Sequence, residues 1–164
     1  LEGGGKVILP EPQALLTPES KMPGLDGQKM SKSYGNTIAL REEPDEVERK
    51  IRTMQTDPAR IRLTDPGDPD KYPVWQLHEV YSDSDTQQWV QQGCRNASIG
   101  CLECKKPVID AVIEELRPIR ERAREYEKNP DLVRAIIADG NEAARSEARD
   151  TLERVREAMG LSYR

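Results

Sequence analysis

The chain has 164 residues, a formal net charge of −5 and no phenylalanine. Charged residues make up 34% and hydrophobic ones 35%, and no apolar run approaches the roughly 20 residues that a membrane helix needs, so a membrane partner is excluded. The acidic balance means that a nucleic-acid partner must be met by local basic patches. Three cysteines, an odd number, argue against a disulfide framework and for a reducing compartment or a metal. No charged-then-apolar leader opens the chain, so secretion is not indicated.

Leu1-Glu2-Gly3-Gly4-Gly5 precedes the apolar run Val7-Ile8-Leu9, which is bounded by Pro10 and Pro12. The glycines read as a native loop or an engineered junction, and without an initiating methionine the chain reads as a piece of a longer protein. Lys6 to Leu9 is a strand candidate. A glycine-framed loop follows, Gly24-Leu25-Asp26-Gly27-Gln28-Lys29-Met30-Ser31-Lys32-Ser33-Tyr34-Gly35-Asn36. Glycines allow positive φ and a close backbone approach to a ligand. Lysines are mobile point charges suited to phosphate oxygens. The loop therefore suits phosphoryl or pyrophosphate handling.

Beyond residue 42 helical signals dominate. Pro44 opens a helix with Val47, Ile51 and Met54 on one face. Residues 55–72 form a polar connector. Pro73 opens a second helix with Val74, Leu77, His78 and Tyr81, and Ser84 or Asp85 caps a third carrying Trp89, Val90 and Cys94. The fourth and longest carries Val108, Ile109, Val112, Ile113, Leu116, Ile119, Ala123 and Tyr126, with a kink at Pro118. Asn129-Pro130-Asp131 caps a fifth, with Leu132, Val133, Ile136 and Ile137, which Gly140 ends. Ala144, Ala148, Leu152, Val155 and Met159 form a last stripe. Trp75 and Trp89 read as core residues.

The glycine-framed loop resembles the Lys-Met-Ser-Lys-Ser signature of class I aminoacyl-tRNA synthetases. Downstream segments narrow the likeness: Thr56-Asp57-Pro58-Ala59-Arg60-Ile61-Arg62, Thr64 to Pro69, Pro73-Val74-Trp75-Gln76-Leu77-His78, and Gly93 to Lys106. They are similar to the bacterial tryptophanyl-tRNA synthetases, from about residue 7 to near the end. The resemblance implies a mainly α fold: a helical bundle of anticodon-binding type over 43–164. Residues 1–42 would be the terminal strand and signature loop of a truncated Rossmann-like domain. It implies ATP-dependent activation of tryptophan and transfer to tRNA(Trp), in a cytoplasmic, homodimeric enzyme with ATP and Mg2+. Lys29 and Lys32 would be the catalytic cations, with Met30, Ser31 and Ser33 completing the ATP contacts. The amino-acid pocket would lie outside this chain. Residues 6–42 would lack the sheet that braces the loop, so the chain alone would be inactive.

Two further constellations stand beside this reading. Cys94, Cys101 and Cys104 are spaced C-x6-C-x2-C. Soft thiolates suit zinc or an iron–sulfur cluster, with His78, the only histidine, as a fourth ligand for zinc. Some members of the resembled family carry a fourth cysteine and such a cluster; here Tyr72 stands at that position. The alternative is a set of buried thiols without metal, which is the favoured expectation. Arg117, Arg120 and Arg124, with Lys105 and Lys106, form a candidate phosphate-facing strip, and Arg60 and Arg62 lie on the connector. The plain alternative for the strip is a solvated face paired with acids such as Glu121 and Glu125. Two rival functions follow: a non-catalytic helical RNA-binding module, and a cysteine-centred metal or redox structural domain.

Overall fold

The computed structural model describes residues 7–16, 21–58 and 60–161. Five helices form among them: α1 (Pro44–Thr53), α2 (Pro73–Tyr81), α3 (Ser84–Arg95), α4 (Cys101–Lys128) and α5 (Pro130–Ala158). The chain divides into two compact units, one of residues 16–124 and one of residues 1–15 and 125–164. The mainly helical expectation holds. The strand does not appear: Lys6 lies outside the described residues, and Val7 to Leu9 have irregular backbone, with Val7 and Leu9 largely exposed. A strand needs a neighbour to pair with, and among the described residues the only bridge is Pro23 with Lys29.

The first unit is built on one apolar core. Val47, Ile51 and Met54 come from α1 and its C-terminal edge, Val74 and Leu77 from α2, and Val108, Ile109, Val112 and Leu116 from α4. These are the faces read from the i, i+3, i+4 spacing. Pro44 and Pro73 each occupy a first turn, where the missing N–H is not needed. The cap of α3 is Asp83, whose Oδ1 accepts from Thr86 N at 2.8 Å, rather than Ser84 or Asp85. A cap sits outside the helix in extended conformation, and Asp83 is the last such residue. Val90 of α3 is buried, whereas Trp89 is 40% exposed and so is not the core residue expected; Trp75 is buried.

The corner from α3 to α4 is tight. A Cβ on Gly93 would meet Ile99 side-chain atoms at 2.8 Å, so a side chain there would displace the turn. α4 runs unbroken through Pro107 and Pro118. Near the second proline, Arg120 donates to the carbonyl of Ile113 and to that of Glu42, tying α4 to the residues before α1.

In the second unit, Asn129 caps α5, its side chain accepting from Leu132 N at 3.1 Å. The helix then passes through Gly140 for 29 residues, so it, and not α4, is the longest. The stop expected at Gly140 does not occur because this glycine is not in the left-handed conformation that ends a helix. An interior glycine costs about 1 kcal/mol against alanine, which the Ala-, Glu- and Arg-rich continuation outweighs. No residue of α5 is buried.

Candidate functional site

The lysine loop folds back on itself before it reaches its signature residues. Gly24 N donates to Gln28 O at 2.6 Å, Gly27 N to Gly24 O at 3.0 Å and Met30 N to Met22 O at 3.1 Å. Gly27 takes φ +78°, a value that side chains resist. Ser31 is extended, and Lys32 to Tyr34 make one 3-10 turn closed by Gly35 at φ +66°. Ser31 and Ser33 hydroxyls lie 2.8 Å apart. Lys29 and Lys32 are exposed, and neither ammonium has a hydrogen bond or ion pair among the described residues. Met30 and Ser31 are half-buried.

Asn36, 4% exposed, ties this loop together. Its Oδ1 accepts from Ser31 N at 2.7 Å. Its Nδ2 donates to Asp26 Oδ1 at 2.7 Å and to Lys29 O at 3.2 Å. The Asn36 amide and the backbone N–H of Gln28 hold the Asp26 carboxyl below the usual carboxylate range. Met22, Leu25 and Ile38, on either side of the loop, pack on the helical core. The bracing expected from a sheet is thus supplied locally.

The three cysteines do converge. Cys94, Cys101 and Cys104 line one cavity of about 50 Å3 with His78, Tyr72 and Arg60. The residues present do not fit a metal. Both ring nitrogens of His78 are engaged, Nδ1 with the Ser82 hydroxyl at 2.8 Å and Nε2 donating to the Cys104 carbonyl at 3.1 Å. Tyr72 shares a hydrogen bond with Asp57, which pushes its phenol up to about 12. Burial pushes the Cys104 thiol up to about 12 and keeps it protonated. The Arg60 guanidinium lies 3.9 Å from Cys101 Sγ. Among the described residues no three of His, Cys, Asp and Glu are arranged to hold an ion.

The basic candidates separate by burial. Lys105 is 1% exposed, and its ammonium donates at 2.7 Å to the carbonyls of Arg52 and Met54, closing the C-terminal end of α1. Arg120 is 6% exposed and donates to two carbonyls. Arg60 donates to the carbonyls of Leu63 and Ile99. The strip is therefore not a row of free cations. Lys105 and Arg120 continue the apolar stripe, at i−3 from Val108 and i+4 from Leu116, and that spacing alone marks them as inward-facing. Lys106 is exposed and paired with Asp110, Arg117 with Glu114 and Glu121, and Arg124 with Glu43. Arg62 is exposed. Nothing in the sequence pattern singles out Asn36 within the loop except its place directly after Gly35, where the turn ends.

Comparison with known proteins gives a consistent picture. Residues 2–117 match the family model described as tRNA synthetases class I (W and Y). A tryptophan–tRNA ligase from Ralstonia nicotianae is 66% identical over 163 residues, covering 99% of this chain and 41% of that protein. The corresponding ligase of Thermotoga maritima is 45% identical, covering 95% and 48%. The solved tryptophanyl-tRNA synthetase of Campylobacter jejuni, complexed with ADP and tryptophan, superposes with TM-score 0.74 at 26% identity, over 94% of this chain and 48% of that one. The chain thus spans under half the length of these relatives.

Proposed function

The chain belongs to the class I tRNA synthetases of the W and Y family, and from that membership and the loop geometry we propose that it is the C-terminal part of a cytoplasmic tryptophan–tRNA ligase. The reaction is tryptophan plus ATP to tryptophanyl-adenylate and pyrophosphate, followed by transfer to tRNA(Trp). ATP enters with its magnesium ion as substrate, the tryptophan pocket belongs to the rest of the enzyme, and the full-length enzyme is a homodimer. Residues 1–42 serve the nucleotide and residues 43–164 the tRNA.

One observation carries the catalytic part: two exposed ammonium groups, without a partner among the described residues, on a loop whose backbone is hydrogen-bonded along its length. Lys29 and Lys32 meet the phosphates, and their charge counts most as negative charge builds on departing pyrophosphate. Met30 packs near the base, and Ser31 and Ser33 donate to phosphate oxygens or hold the loop. For tRNA, the exposed cations Arg62, Lys106, Arg117 and Arg124 remain candidates. Exposed ion pairs of the kind that hold the last three are worth about 1 kcal/mol or less, so a phosphate can displace the acid. Arg60, Lys105 and Arg120 support the fold behind them.

The test is Lys32→Ala in the complete enzyme, read by tryptophan-dependent pyrophosphate exchange. A charge that acts in the transition state should cost about a hundredfold or more in rate, each 1.4 kcal/mol being roughly tenfold. Tryptophan binding should change little. An unchanged rate with an altered tryptophan constant would sink the assignment. The 164-residue chain alone should show no exchange.

A further inference from the structure

We propose that Asn36 and Asp26 form a clamp that sets where Lys29 and Lys32 stand during pyrophosphate formation, Asn36 being a positioning residue that touches no substrate. The inference rests on the function proposed above. Because neither lysine side chain has a partner among the described residues, the backbone beneath them fixes their charges relative to a triphosphate. The backbone on both sides of Met30 is held by one side chain: Asn36 takes the Lys29 carbonyl with its Nδ2 and the Ser31 amide with its Oδ1. The second Nδ2 hydrogen goes to Asp26 Oδ1, which also accepts from Gln28 N at 3.0 Å. Leu25 N closes the frame on Asn36 O at 2.9 Å. One acceptor and two donors are required at this point, and among short side chains only the amide of asparagine supplies them.

The surroundings are shaped to it. A Cβ on Gly24 would lie 2.2 Å from Asn36 Nδ2, so only glycine leaves the amide room. Without the clamp the loop retains its lysines but not their spacing. Preorganisation, and with it turnover, is what should be lost.

The experiment uses the complete enzyme and pyrophosphate exchange, with Lys32→Ala measured alongside. Asn36→Ala should lower kcat about tenfold to hundredfold, since buried hydrogen-bond partners left unmade cost about 1–3 kcal/mol. The KM for tryptophan should stay within about twofold. Asp26→Asn keeps an acceptor for the amide and should retain most activity, whereas Asp26→Ala should resemble Asn36→Ala. Asn36→Asp sets a carboxylate against Asp26. Its exchange rate should rise as pH falls, because a proton shared between the two acids restores a hydrogen bond. The wild type should lack that acid-side gain. Should Asn36→Ala fail to fold, the pH profile of Asn36→Asp decides. Normal turnover in Asn36→Ala, or a flat profile for Asn36→Asp, overturns the clamp. If Lys32→Ala is crippled while Asn36→Ala is normal, the clamp alone is wrong. If Lys32→Ala is also normal, the proposed function falls with it.

Discussion

His78 makes the helical core acid-labile. Its ring is fully buried between α2 and α4, with Nε2–H donating to the Cys104 carbonyl and Nδ1 accepting from Ser82. Burial pushes its pKa down from 6.5 to about 4. The folded state therefore resists a proton that the unfolded state accepts. The stability from this group is fully present above pH 6.5. It declines as pH falls from 6.5 toward 4, where the folded form protonates too. Linkage over those two values gives a loss of about 2 kcal/mol between pH 7.5 and pH 5, and about 3 kcal/mol in full. Because the chain has a single histidine, the assay is clean. Urea unfolding followed by far-ultraviolet circular dichroism, at half-unit steps from pH 7.5 to 5, should show a curve that is nearly flat at first and steepens to about 1.2 kcal/mol per unit below pH 5.5. His78→Gln should lower stability at pH 7.5 and flatten the slope. A wild-type curve that is flat above pH 5, or a variant with an equal slope, would refute the reasoning.

Lys105→Met should destabilise the protein by about 2 kcal/mol, because two carbonyls at the end of α1 lose their donor while one buried charge is relieved; a shift in urea midpoint at constant m-value checks it. Metal analysis of anaerobically purified protein should find neither stoichiometric iron and sulfide nor stoichiometric zinc. The thiol-lined cavity offers Tyr72 and Arg60 where further ligands would be needed.

The apolar stripes were legible because burial imposes a period, and α1, α2 and α4 bury or half-bury the residues that the period picked out, except Tyr126 near the end of α4, which is 47% exposed. Gly140 misled because a lone glycine in a polar helix has two readings, and only backbone φ decides between them. Asp83 was missed for a related reason: three consecutive cap-competent positions, Asp83 to Asp85, cannot be ranked without knowing where the extended backbone ends. Charge alone could not separate the buried members of the basic strip from the exposed ones. Lys105 and Arg120 are cations by type but inward-facing by position, and the carbonyls they serve lie at residues 52, 54, 42 and 113, with no local signal linking them. The Lys29–Lys32 loop was legible as chemistry. Its mechanics were not, since Asn36 reaches back over distances of five, seven and ten residues.

Two neighbouring residues of α4 engage two different helices. The Cys104 carbonyl accepts from His78 of α2, and the Lys105 ammonium donates to the carbonyls at the end of α1. A helix advances about 100° and 1.5 Å per residue, so a roll or slide of a single residue would break both attachments together. α4 is keyed in its seat, as a shaft is keyed to its hub. Thermal motion can bend it or fray its end, but it cannot creep along its neighbours, and these segments of α1, α2 and α4 move as one piece.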